Sequence, residues 1–283
     1  MHGHADGDNS FGQWIILLPL AAAAVMYVAA AVGESGKGRP WPWWRTSFWL
    51  LGLGVAAFAL SGTSPSGVGR PFTDHAIGHL LVGMAAPVFL VLAAPVTLAL
   101  RNFAVLSARR LSHALRSPPA RLLSHPIIAA LLSIGSLYLL YLTPLYESTT
   151  DSVLHLAVMV HFLITGFLFT ASIITVDPSP HRSSMNLRLI VLTLSLAAHG
   201  VLTKALYASA VNGESRLAQL VQTEGVSPSD LQAGAQLMYY GGDVVDLVLI
   251  AIVLFGWYRS TIRPATRRTR MSRRTHIAQG GLG

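Results

Sequence analysis

The sequence predicts an all-α, polytopic membrane protein: a bundle of seven transmembrane helices with its N-terminus outside and its C-terminus in the cytoplasm. Three observations carry that expectation. Of 283 residues, 52% are hydrophobic and only 11% charged, and the mean hydropathy is +0.53, far too apolar for a soluble domain of this size. Apolar runs approaching or exceeding the roughly 20 helical residues that cross a hydrocarbon core recur between turn-forming stretches. The basic residues, finally, are concentrated in alternate connections, as the positive-inside rule expects of a multi-pass chain.

Residues 1–12, MHGHADGDNSFG, contain no Lys or Arg, so they lack the positive segment of a cleavable signal peptide. They are expected to be kept as a flexible outer tail, in which His2, His4, Asp6 and Asp8 offer at most a loose metal-binding cluster. The transmembrane domain is expected over 13–258, with a first span at 13–32. Trp41, Trp43 and Trp44 form an aromatic belt, with Arg39 and Arg45 beside them, at the start of a second span ending near Ser61. A Gly/Pro/Ser loop at 62–73 leads to the third span, where residues 80–100 supply the crossing run and His75 and His79 precede it. Arg101, Arg109, Arg110, Arg116 and Arg121 alternate with apolar residues over 101–124, the pattern of an amphipathic segment lying on the membrane surface.

His125-Pro126 opens a fourth span, which Thr143-Pro144 closes. A fifth, at 152–176, ends at Asp177-Pro178-Ser179-Pro180. The sixth covers 187–208. In the seventh, Ser227-Pro228-Ser229-Asp230 reads as an N-cap with Pro at the first helical position and an acid in the first turn, and the helix is expected to continue to Tyr258. Seven spans sort the connections into two sets. Segments 33–47, 101–124, 177–188 and 259–283 hold 17 of the 20 Lys and Arg, whereas 1–12, 62–74, 143–151 and 209–234 hold two against eight acids. The net charge of +8 is thus expected to face the cytoplasm. The basic tail 259–283 needs no nucleic acid; it is drawn to anionic lipid by about 1 kcal/mol per charge near the surface.

Absence of cysteine removes disulfides and thiolate sites, leaving His, Met, Asp and Tyr for metal or proton chemistry. His75 and His79 are spaced i,i+4 and share a helix face. Taken alone, the pair equally fits interfacial side chains that snorkel to headgroup water. But His155 and His161 fall in the outer half of the fifth span, His199 near the middle of the sixth, and Asp243 and Asp246 inside the seventh. Ionisable residues in lipid are costly unless paired or facing a cavity, and the inner halves have none. Met159 lies four residues from His155, while Met84 and Met238 read as packing residues. His155 and His161 are six apart, about 120° around a helix, so they cannot both point straight at one centre. Gln236, Tyr239, Asp243 and Asp246 make one polar stripe, and Ser195, His199 and Thr203 a second.

The motif F-x-x-H-x-x-x-H-L-L-x-x-M-x-A-P at 72–87 resembles the seven-helix CtaG family of cytochrome c oxidase assembly proteins. The same holds for L-Y-L-T-P-L-Y at 140–146, for H-L-x-x-M-V-H-F-L-I-T-G-F-L-F at 155–169 followed by Asp177-Pro178, and for 236–243. Two positions depart from the family pattern: Gly78 stands where Gln is usual, and Asp243 where Glu is. The resemblance implies a bacterial plasma-membrane protein that is not an enzyme but a chaperone-like partner of haem-copper oxidase subunits, supplying copper to their outward-facing centre. On that reading His75, His79, His155, His161 and His199 are the expected copper ligands, with Met159 assisting and Asp243 balancing charge or orienting an imidazole.

A haem protein with bis-His ligation is the alternative, and a metal permease a further one, although a permease would want polar groups down both halves of the membrane. A retinal protein is disfavoured because the seventh helix has no Lys for a Schiff base within its span. No nucleophile–base pair or nucleotide loop is visible, and homo-oligomerisation stays open.

Overall fold

The computed structural model describes residues 6–61, 66–67, 69–148, 152–178, 182–212 and 226–279, and every regular element in them is helical. The N-terminal helix α1 (Asp6–Gly36) precedes α2 (Trp43–Leu60), α3 (Pro71–Leu80) and α4 (Ala86–Leu92), the last two joined end to end by a single π turn at Leu81–Ala85. Three short helices follow: α5 (Pro95–Asn102), α6 (Val105–Leu115) and α7 (Pro118–Leu123). Then come α8 (Pro126–Leu142), α9 (Leu145–Ser148), α10 (Ser152–Ile174), α11 (Met185–Asn212) and α12 (Pro228–Gln279).

Five stretches are long and apolar enough to cross a membrane: Leu17–Gly36, Pro71–Leu92, Val153–Ile174, Met185–Val211 and Pro228–Arg259. The other two expected spans form as helices of 18 and 17 residues, α2 and α8; α2 carries Arg45 and three Trp among its apolar residues. The chain is therefore a multi-pass membrane protein. The charge-bearing α6 and α7 bury no residue. His2 and His4 lie outside the described residues.

The third span corrects an expectation. Residues 80–100 do not form one crossing helix. The spanning segment is Pro71–Leu92, and the chain turns at Ala94, whose φ of 55° is left-handed. Pro95 then starts α5, because a proline fits the first turn of a new helix and disfavours helical backbone in the residue before it. The freed carbonyl of Ala93 accepts a hydrogen bond from the Tyr27 hydroxyl at 2.7 Å, and Trp41 Nε1 donates to that hydroxyl at 3.1 Å. As a consequence His75 and His79 sit inside the spanning helix rather than ahead of it.

Two aspartates fasten helix starts that belong to other elements. Asp230 accepts from the backbone N–H of Phe72 (2.9 Å) and Thr73 (3.1 Å) and from the Thr73 hydroxyl (2.5 Å), tying α12 to the first turn of α3. Asp177 repeats the arrangement on α5, accepting from Val96 N–H (3.2 Å), Thr97 N–H (2.8 Å) and the Thr97 hydroxyl (2.5 Å). In each case the helix opens with Pro-x-Thr, and a carboxylate supplies the acceptors its leading N–H groups lack. Asp230→Ala is expected to cost about 2 kcal/mol, the scale of lost charged hydrogen bonds to a cap, as read by thermal unfolding in detergent. A change below about 0.5 kcal/mol, the size of an ordinary surface substitution, would contradict the capping role.

Around the spanning part of α3, α12 packs against both α3 and α11, and α10 lies between α8 and the π turn. The main core gathers Phe72, Val82, Leu140, Tyr141, Met159, Phe162, Leu202 and Met238, so the helices that carry the imidazoles all contribute to it.

Candidate functional site

Helix α3 turns the side chains of His75 and His79 inward, where they are 9% and 4% exposed. Their rings lie 4.4 Å apart between centroids, and the His155 ring of α10 lies 5.6 Å from His75. Tyr146 packs edge-on to His75 at 5.0 Å and Phe162 edge-on to His79 at 4.3 Å, with Tyr141 6.3 Å from both imidazoles. Burial, with the Asp230 carboxylate adding to it, raises the Tyr146 phenol well above its ordinary range, so it stays neutral beside the imidazoles. Met159 is 2% exposed, and its methyl lies 3.6 Å from where a Cβ on Gly78 would stand. The Met159 thioether of α10 thus packs against α3 at Gly78, at a distance where a Cβ would make ordinary contact.

Below this cluster the π turn carries the helix on to Met84. An α-helix rotates about 100° per residue, so five residues would leave Met84 about 140° away from His79; the wider π turn shortens that offset. His79 and Met84 both line one cavity of about 40 Å³. Its far wall is His199 of α11 and Met238 of α12, and Ser133, Leu137 and Phe162 complete much of the rest. The Tyr141 hydroxyl donates to Met238 Sδ at 3.7 Å. His199 is 3% exposed, between Ser195 and Thr203, both buried. A Cβ on Gly242 would stand 2.3 Å from its Cε1 and 2.6 Å from its Nδ1, so the ring occupies space that only glycine leaves.

Three imidazole nitrogens, His75 Nε2, His79 Nε2 and His199 Nδ1, are buried with no hydrogen-bond partner. Buried polar atoms are satisfied in the great majority of cases, and each orphan costs about 1–3 kcal/mol. Neutral imidazoles with an open lone pair are also what a soft or borderline metal ion needs. Among the described residues no three His, Asp or Glu side chains are gathered as a ready-made cation site. The arrangement is instead paired imidazoles with thioethers nearby.

The other expected residues fall elsewhere. His161 is exposed, about 120° around α10 from His155, and its ring packs edge-on to the neighbouring Phe162 at 5.7 Å. Asp243 lines a separate groove of about 350 Å³ with Lys204, Tyr239, Gly200 and Leu247, and Lys204 Nζ lies 5.0 Å above the Tyr239 ring. Asp243 follows Gly242 in the chain, which places it next to His199 rather than beside His75. Asp246 is 3% exposed. Met84 and Met238, read from the sequence as packing residues, line the imidazole cavity; Met84 lies five residues from His79, off its face in a regular helix, and Met238 is on a different helix from His199, so no helical spacing in the sequence pointed to either.

The family model described as cytochrome c oxidase caa3 assembly factor matches residues 25–260. The chain belongs to that family. It is also 30% identical to an uncharacterized protein of Mycobacterium leprae over 95% of its own length and 42% of that protein's. Uncharacterized proteins of Mycobacterium bovis and Mycobacterium tuberculosis are each 30% identical over 88% of the chain and 40% of their own length. The chain therefore spans about two fifths of these curated relatives. No solved structure matches it.

Proposed function

We propose that this assembly-factor chain handles copper for a haem-copper oxidase at the outer face of a bacterial plasma membrane, with His75, His79 and His155 as the receiving ligands and Met159 beside them. The observation that carries the reading is the His75–His79 pair on α3, each buried with a ring nitrogen that has no hydrogen-bond partner among the described residues, with the His155 ring of α10 5.6 Å from His75. Copper is the cargo. Neutral imidazole and thioether suit it, and their modest number leaves the ion exchangeable, as delivery requires. Asp243, adjacent to the His199 contact, contributes negative charge to offset a cation at this depth. A haem fits less well, since the cavity that His79 and His199 share is about 40 Å³, far smaller than a macrocycle.

A strain lacking the chain is expected to make oxidase depleted of copper at its outward-facing centre, relieved by excess copper because mass action bypasses a delivery defect. Oxidase with its full copper complement in that strain would overturn the reading.

The direction of delivery rests on seven spans with the N-terminus outside. A cysteine at position 214 is expected to react with a membrane-impermeant thiol reagent in intact cells and one at position 116 is not, following the 17-to-two charge asymmetry of the connections. The reverse labelling would place the imidazoles on the wrong side for this role.

A further inference from the structure

We infer that the cavity beneath the outer imidazoles is a second subsite, selective for Cu(I), built from His79, Met84, His199 and Met238. It rests on the copper reading and adds what that reading does not contain: a deeper station, its ligands and the oxidation state it accepts. Four observations converge on it. All four side chains line the same small cavity. Its volume of about 40 Å³ exceeds the roughly 10–15 Å³ of probe volume that one water needs, so there is room for an ion. His79, third, carries a buried Nε2 without a hydrogen-bond partner among the described residues.

The backbone, fourth, is built to bring these groups together. The π turn at Leu81–Ala85 brings Met84 towards the face that His79 occupies, a device frequent at functional sites. Gly166 of α10 holds that turn in place: a Cβ there would stand 2.1 Å from the Gly83 carbonyl oxygen. Gly242 admits the His199 ring in the same way.

The donor set fixes the metal's class. Two neutral imidazoles and two thioethers with no carboxylate lining the cavity favour a soft, monovalent ion, because thioether sulfur selects Cu(I) whereas hard divalent ions demand oxygen. A monovalent ion also carries the smaller desolvation penalty inside a bilayer. Tyr141 positions the acceptor by donating to Met238 Sδ, leaving that sulfur a second lone pair. His79 belongs to both stations. Transfer is then a ligand exchange in which Cu(I) keeps His79, releases the His75 and His155 nitrogens and gains Met84, Met238 and His199; no electron or proton is exchanged.

The test is X-ray absorption on the purified full chain loaded anaerobically with Cu(I), read together with a chelator-competition titration. The wild type is expected to show sulfur as well as nitrogen in the copper shell. Met84→Leu/Met238→Leu, which nearly conserves volume, is expected to lose the sulfur and weaken Cu(I) binding at least tenfold, while Met159→Leu keeps the deeper sulfur signal. A wild-type shell of nitrogen alone, or sulfur undiminished in the double variant, would overturn the subsite and leave the outer copper site standing. Failure of the wild type to bind copper at all would remove both. A wild-type shell without sulfur overturns the subsite whatever the variants do, and the Met159→Leu spectrum separates the sulfur of the deeper site from that of the outer cluster.

Discussion

His79→Ala is expected to abolish most of the oxidase-supporting activity while the protein remains in the membrane at its normal level. The ring is the imidazole common to the outer cluster and the deeper cavity: it lies 4.4 Å from His75 and shares the space of about 40 Å³ with His199. Its removal leaves His75 and His155 without the helix-mate one turn below and opens the path between the stations. Loss of one ligand from a low-coordinate site is expected to lower copper affinity by tenfold to a hundredfold, the scale on which even outer-shell changes act. The fold loses edge-on packing on Phe162, worth about 0.5–1.5 kcal/mol, but sheds a buried nitrogen that has no partner. The two changes partly cancel. Oxidase activity in the variant strain is expected to rise with added copper, since mass action refills a weakened carrier. Normal activity without added copper, at wild-type abundance of the variant, would refute the delivery role.

Gly166→Ala is expected to produce the largest loss of stability among small substitutions. A Cβ there would stand 2.1 Å from the Gly83 carbonyl oxygen, 2.9 Å from its carbon and 3.0 Å from Pro87 Cγ. Backbone atoms and a proline ring cannot rotate away, so α10 must retreat from the π turn as a body. Overpacking of this kind costs about 1–3 kcal/mol, and the upper end is expected here. Because α10 also carries His155, Met159 and Phe162, the retreat is expected to separate the helix 3 imidazoles from their partners and to weaken copper binding along with stability. Gly135→Ala is the matched control. That glycine lies within α8 with nothing inside 4 Å of its missing Cβ, so alanine there is expected to be neutral or to stabilise by up to about 1 kcal/mol through helix propensity. Equal melting points for the two variants in detergent would contradict the packing account.

Much of this architecture was legible in the chain. Apolar runs bounded by Pro and Gly gave the spanning helices, and Ser227 does cap α12, its hydroxyl accepting from the Asp230 N–H at 3.1 Å. The i,i+4 spacing of His75 and His79 put both rings on one face, and that face is the buried one. The turn at Ala94 was hidden by uniformly apolar neighbours, although Pro95 marked it. The two aspartate caps were invisible because each joins residues 80 or more positions apart, Asp177 to Thr97 and Asp230 to Thr73. Spacing showed that His155 and His161 diverge. Which of them turns inward depends on the rotation of α10, and that is set by the Gly166 contact with Gly83, a long-range fit no local pattern reports. Likewise the π turn packs against α10 and α2, and the meeting of Met84 with Met238 around one cavity joins residues 154 positions apart.

Metal analysis of the purified wild type beside a His75→Ala/His79→Ala double variant tests the copper site most directly. The wild type is expected to retain copper through purification and to show no Soret band, and the double variant, correctly inserted and of the same oligomeric size, to retain less than a tenth as much. Equal copper in both proteins, or a haem spectrum that disappears with the two histidines, would contradict the account.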